Sequence, residues 1–147
     1  MSDDTLLATI NALDGWARQM GLVVTVASAD EVVAHFDVAP QHLQAYGIVH
    51  GGVHCGIIEA ACSTGAAIAA LQHNRTVVGL ENSTSFIHAA RGGTLKVTAT
   101  PVTRGRRTQV WQGSVTDADG RVLATGRVRL LCLEAGADLA GKPSGHA

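Results

Sequence analysis

From Gly51 to Ala70 the chain reads GGVHCGIIEAACSTGAAIAA, and Glu59 is the only formally charged residue in that stretch. An ionised carboxylate is costly to bury without a partner, so one kept in such a helix is expected to have a use. It can attack a carbon or take a proton from water. Just upstream lies Tyr46-Gly47-Ile48-Val49-His50-Gly51-Gly52. A helix starting at Gly51 offers unpaired backbone N–H groups and the positive end of its dipole. Gly51 and Gly52 have no Cβ, so a carbonyl oxygen can approach those donors closely, the logic of an oxyanion hole. The plainer reading is that the glycines only turn a loop into a helix, and that Glu59 is a structural pair or an exposed residue. Ser63 lies four residues after Glu59 on the same helix face, either beside its carboxylate or as a small packing residue.

Other candidates are weaker. His50 and His54 stand at i, i+4, a spacing that can chelate a metal, yet no third ligand follows at a sensible distance, so no metal is expected. Cys55 and Cys62 read as small buried hydrophobes rather than nucleophiles. With Cys132 they make an odd set without C-x-x-C spacing, which fits reduced thiols and a cytoplasmic setting. The formal net charge of −1 gives no global field toward nucleic acid or a membrane. Aromatic residues make up 3%, too few for base-stacking platforms. The acidic start, MSDDTLLATI, does not read as a signal peptide. The most apolar stretch, interrupted by Glu59 and rich in Gly and Ala, is not a convincing membrane span.

The elements that must position these residues follow from periodicity. Leu6, Leu7, Ile10, Leu13 and Trp16 recur at helical spacing, so a first helix capped by Asp3 or Asp4 is expected to run to about Met20 and end at Gly21. Strands are expected at 22–28 and 31–38, the second with Val32, Ala34, Phe36 and Val38 alternating against Val33, His35 and Asp37. An irregular loop from Pro40 to Val49 leads into the Gly/Ala-rich helix, which should end near 71–74. Four strands then follow at 76–89, 94–103, 108–116 and 121–133, read as an antiparallel meander. Its turns fall at Arg91-Gly92-Gly93, Arg104-Gly105-Arg106 and Asp117-Ala118-Asp119-Gly120. The sheet needs one face covered, and the long helix is the only element large enough. A single α+β domain over 1–134 is expected, a long central helix wrapped by a curved antiparallel sheet, with 135–147 a flexible tail.

With these elements in place, Gly47-Ile48-Val49-His50-Gly51-Gly52 and a glutamate nine residues after the histidine resemble the hotdog-fold acyl-CoA thioesterases. More narrowly, the sequence is similar to the 4-hydroxybenzoyl-CoA and 1,4-dihydroxy-2-naphthoyl-CoA thioesterase type, with its catalytic Glu on the hotdog helix. The related phenylacetate-pathway thioesterases usually carry Asp in the equivalent role. The likeness continues through Val78-Gly79-Leu80-Glu81-Asn82 and Arg104-Gly105-Arg106-Arg107-Thr108-Gln109-Val110-Trp111, spanning roughly 22–133. It implies hydrolysis of an acyl-CoA thioester, with CoA as part of the substrate and no cofactor. It implies Glu59 as nucleophile or general base, and Gly51 N–H as the oxyanion donor, helped by His50 and Gln44. Ser63 matches a residue that helps position water or Glu59.

Gly51 and Glu59 are eight residues apart on one helix, hence about 12 Å along its axis. Both cannot touch one thioester carbon, so a second chain must supply one of them. A homodimer with shared sites is expected, and the resemblance implies a dimer of dimers. Arg91, Arg104, Arg106 and Arg107 sit at strand connections where they could meet CoA phosphates, or could be ordinary solvated turn charges. Gly52, Asn82, Thr84, Ser85 and Phe86 are the other candidates for substrate contact. The naphthoyl-type enzymes tend to carry a histidine where Phe86 stands, which points to a different acyl group. A hydratase or dehydratase on the same fold, or a non-catalytic acyl-CoA binder, are the alternative readings.

Overall fold

The computed structural model describes residues 1–144. The expected first helix is two. Helix α1 (Asp3–Ala12) is capped by Ser2, whose Oγ accepts from Thr5 N–H at 3.3 Å, rather than by an aspartate. The chain breaks at Gly15, whose φ of 124° only glycine adopts without strain, and resumes as the single turn α2 (Trp16–Gln19). Strands β1 (Val23–Ala27) and β2 (Val32–Asp37) form a hairpin. A 3-10 turn at Pro40–His42 then leads to α3 (Gly51–Leu71), which matches its expected limits. The remaining long strands are β3 (Arg75–Phe86), β4 (Thr94–Arg104), β5 (Thr108–Thr116) and β6 (Val122–Glu134). The tail after Glu134, expected to be loose, folds back as a small hairpin of β7 (Asp138–Leu139) and β8 (Lys142–Pro143). Residues 145–147 of that tail lie outside the described residues.

The last four long strands are not a meander. The sheet order is β1-β2-β4-β5-β6-β3, so β3 pairs with β6 and not with β4. The segment 87–93, expected to close a hairpin, instead carries the chain past the start of α3. It is pinned there by Val49 N–H to Ala90 C=O at 2.8 Å and Val38 N–H to Gly93 C=O at 2.9 Å. The crossover lets one curved sheet enclose α3 from both flanks.

Small residues on α3 make the close wrap possible. A Cβ on Gly65 would overlap the Trp111 ring, which is fully buried. Trp111 Nε1–H donates to Gln109 Oε1 at 2.8 Å, and Gln109 Nε2–H donates to Ala66 C=O at 3.0 Å, tying β5 to the helix. Ten residues of α3 are buried against the sheet, so this apolar 21-residue helix serves as the core. Phe36, Leu95, Val97, Leu123 and Leu130 of the strands complete that core.

The two edges of the sheet are treated differently. Asn11 of α1 donates to Val24 C=O at 2.9 Å and accepts from Val24 N–H at 2.8 Å, imitating a neighbouring strand on β1. Edge strand β3 is twelve residues long and has no strand partner beyond β6 among the described residues.

Candidate active site

The start of α3 is built by its approach loop. His42 is buried, with Nδ1 accepting from Ala39 N–H and Nε2–H donating to Met20 C=O, both at 2.8 Å. His42 C=O then accepts His50 N–H at 2.8 Å, which fixes the residue before the helix. Nothing in the sequence singled out His42. A lone histidine in an irregular loop carries no spacing signal, and its partners are distant in the chain.

His50 is the N-cap. Its Nδ1 accepts from Gly52 N–H at 2.8 Å, and its C=O accepts from Val53 N–H at 2.9 Å and His54 N–H at 3.4 Å. The first N–H of the helix, on Gly51, has no acceptor among the described residues. Because Nδ1 is the acceptor, a neutral His50 carries its proton on Nε2 and has one donor left for a ligand. Gln44 Oε1 accepts from Tyr46 N–H, so the Gln44 amide NH2 is also left to donate outward. Gln44, His50, Gly51 and Gly52 line one cavity of about 410 Å³.

The walls of that cavity are mostly apolar. Ile48, Val49, Ile87 and Phe86 contribute to it. The Phe86 ring lies against Gly51, and a Cβ on Gly51 would stand 2.6 Å from its Cε2. His54 also lines the cavity, 3% exposed, with its ring 6.3 Å from that of Phe86. Its Nδ1 is buried without a hydrogen-bond partner, and burial pushes the imidazole pKa below the usual 6.5.

Glu59 lies further along α3 and does not line this cavity. The expectation that its carboxylate is buried does not hold for the single chain, where Glu59 is exposed. The helix presents it on the flank that β3 only partly covers. Asn82 on β3 holds it, with Nδ2 donating to Glu59 Oε2 at 3.2 Å and to Cys55 C=O at 2.9 Å. Thr84 Oγ1–H donates to Asn82 Oδ1 at 2.7 Å and fixes which way that amide faces. Gly79 gives the carboxylate room, since a Cβ there would come within 3.2 Å of Oε1. Ser63 is half-buried one turn beyond Glu59. Burial, then the Glu59 charge, push the neighbouring Cys62 thiol up to about 12, so it is no nucleophile at neutral pH.

The other candidates fall in three places. Asn82, Thr84 and Phe86 share the helix-facing side of β3, so Ser85 alternates onto the other face. Arg91 is used locally, with Nη1 donating to Tyr46 C=O at 2.7 Å and Gly47 C=O at 3.2 Å, which shapes the loop beside Gln44. The arginines do not cluster in one chain. Arg104 and Arg106 lie with Arg75 around a larger cavity of about 600 Å³ at the opposite end of α3. Arg104 is paired there with Asp30 at 2.8 Å. That cavity has neither a carboxylate nor a helix N-terminus in its wall. No cluster of metal-binding side chains is present among the described residues.

Known proteins resemble this chain in sequence and fold. The family described as the thioesterase superfamily matches residues 46–124, a span holding both the Gly51 turn and Glu59. A Mycobacterium tuberculosis protein with the provisional name esterase Rv1847 is 40% identical over 130 residues, 87% of this chain and 93% of that protein. Its solved structure superposes with a TM-score of 0.79 at 41% identity, covering 81% of this chain and 96% of that one. The crystal structure of AziG from S. sahachiroi superposes with a TM-score of 0.80, also at 41% identity, covering 83% and 98%. The 1,4-dihydroxy-2-naphthoyl-CoA hydrolase of Escherichia coli is 30% identical over 97 residues, 66% of this chain and 69% of that enzyme. By matched domain, identity and shared architecture, this chain belongs to the thioesterase superfamily, the thioester hydrolases of hotdog fold.

Proposed function

We propose that the protein hydrolyses a small acyl- or aryl-CoA thioester to the free acid and CoA. The observation that carries this reading is the unpaired Gly51 N–H at the mouth of an apolar cavity, flanked by the spare donors of His50 and Gln44. Three free donors in the wall of one cavity suit the oxyanion formed when a thioester carbonyl is attacked. Glu59 is the nucleophile or the general base. As base, it takes a proton from water while the water oxygen bonds to the carbonyl carbon. The C–S bond then breaks and CoA leaves as the thiolate, which picks up a proton. As nucleophile, its oxygen displaces the thiolate first, and water then cleaves the resulting anhydride.

CoA as the carrier is supported by the name of the Escherichia coli relative. The acyl group differs from the naphthoyl type in meeting Phe86, an apolar ring, at the Gly51 wall. Gly51 and Glu59 stand about 12 Å apart on one straight helix, so one site takes Gly51 from one subunit and Glu59 from another. A homodimer is therefore part of the proposal.

The test is thiol release across a panel of aromatic and aliphatic acyl-CoAs. Glu59→Ala is expected to lower kcat by roughly 10²- to 10⁴-fold with substrate still bound. Full kcat in that variant overturns the assignment. Water addition to an enoyl-CoA with no thiol released overturns the reaction class.

A further inference from the structure

Three histidines line the cavity at the start of α3, and two of them already have protein partners. His50 Nδ1 accepts from Gly52 N–H at 2.8 Å, and His88 Nδ1–H donates to Val122 C=O at 2.9 Å. His54 is the third. It is 3% exposed, and its Nδ1 is buried with no hydrogen-bond partner among the described residues. Buried polar atoms in native proteins are nearly always paired, so an unpaired one in a cavity wall marks an unmet contact. His54 follows Gly51 by three residues, about 4.5 Å along the helix axis. Its ring centroid is 6.3 Å from that of Phe86, the ring that lies against Gly51. An acyl group whose carbonyl oxygen meets the Gly51 N–H therefore has His54 beside its first few carbons.

The chemistry of the missing contact follows from the wall around it. No Asp, Glu, Lys or Arg lines the cavity, so nothing there balances a charge on the acyl group. Burial holds the His54 pKa below 6.5, so at neutral pH one ring nitrogen donates and the other accepts. No protein group at Nδ1 decides which. A hydroxyl suits either tautomer, because it both donates and accepts. A carboxylate or an ammonium suits only one and brings a charge the wall cannot pair. We propose that His54 is a specificity-determining residue, which reads the acyl group through a hydrogen bond to a hydroxyl carried a few bonds from the thioester carbonyl. This rests on the hydrolase reading, whose acyl cavity it uses.

The magnitude separates this role from simple shape. A wall made only of Ile48, Val49, Phe86 and Ile87 discriminates weakly for or against an added hydroxyl. A nitrogen waiting for that hydroxyl discriminates far more, because the ester lacking it leaves the nitrogen unpaired in the complex. His54 takes no proton from the reacting atoms in this scheme, so its removal changes which ester is preferred.

The experiment measures thiol release from matched esters, 3-hydroxybutanoyl-CoA against butanoyl-CoA and 3-hydroxybenzoyl-CoA against benzoyl-CoA. The ratio of kcat/KM is read on whichever pair the wild type turns over faster. The hydroxylated ester is expected to be favoured by roughly 10- to 100-fold. His54→Phe keeps a ring and His54→Leu keeps an apolar side chain, and both remove the nitrogens. Each is expected to bring the ratio close to one, with the loss falling on the hydroxylated ester. His54→Gln, which retains a donor and an acceptor, should keep part of the preference. A ratio near one in the wild type overturns the role of His54 while thiol release leaves the hydrolase reading standing, whether or not the variants fold. Equal losses on both esters in folded His54→Phe and His54→Leu also overturn it, since a merely structural role lowers both alike. No thiol from any ester overturns the hydrolase reading instead. Calorimetric titration of the same pairs then reads His54 separately: tighter binding of the hydroxylated ester supports its role, and equal affinity overturns it.

Discussion

Glu59 is held by one side chain, and that side chain is held by another. Asn82 donates to Glu59 Oε2, and Thr84 keeps the Asn82 amide from turning over. Asn82 is a positioning residue in this scheme, because it acts through the carboxylate. Asn82→Ala is expected to lower kcat by roughly ten- to hundredfold while KM stays near the wild-type value, since misplacing a reacting group costs rate rather than binding. A change confined to KM would give Asn82 a binding role instead. His54 makes a different prediction. Burial lowers its pKa in the folded chain, whereas in the unfolded chain it titrates near 6.5. Below that value the unfolded state binds a proton the folded state does not. Stability is therefore full above pH 6.5 and falls as pH drops toward the folded value. His54→Leu removes this loss. Urea unfolding at pH 7.5 and 5.5 should show a smaller difference for the variant than for the wild type, and an equal difference would remove His54 as the cause.

At the scale of elements, α3 was the most legible part of the sequence and the pairing of β3 the least. The limits of α3 followed from its small-residue run and from Gly51-Gly52, which are local features. The partner of β3 depends on which flank of α3 each strand takes, and no local spacing records that. The same division runs through the site. Gly51, His50 and Glu59 could be read because they lie on one helix and its cap. The roles of His42 and Arg91 could not, because they consist of hydrogen bonds to carbonyls far off in the chain. The glycines of α3 separate two kinds of constraint that look alike in the sequence. Gly65 faces the fully buried Trp111 ring, which has nowhere to move, so Gly65→Ala is expected to cost about 1–3 kcal/mol through overpacking. Gly56 faces Trp16, which is 44% exposed on the short α2 and can swing outward. Gly56→Ala should cost clearly less, and denaturant midpoints of the two variants compare them directly.

For the molecule as a whole, the question is whether one chain can hold a complete site. On α3 the unpaired Gly51 N–H and the Glu59 carboxylate are separated by eight residues of continuous helix, and no bend brings them together. Two damaged chains should therefore repair each other. Glu59→Ala keeps its Gly51 end, and Gly51→Val keeps its Glu59. In a mixed dimer the intact Gly51 of the first meets the intact Glu59 of the second, while the other site carries both lesions. Random exchange makes half of the dimers mixed, each with one good site of two, so turnover should recover to about a quarter of the wild-type value. The valine side chain adds a check, because its Cβ must displace the Phe86 ring. Each single variant is measured alone for residual activity and for mass, so a failure to assemble is seen separately from a failure to complement. A site complete within one chain gives a mixture no more active than the average of its two parents. Recovery toward a quarter requires that Gly51 and Glu59 of one working site come from different chains.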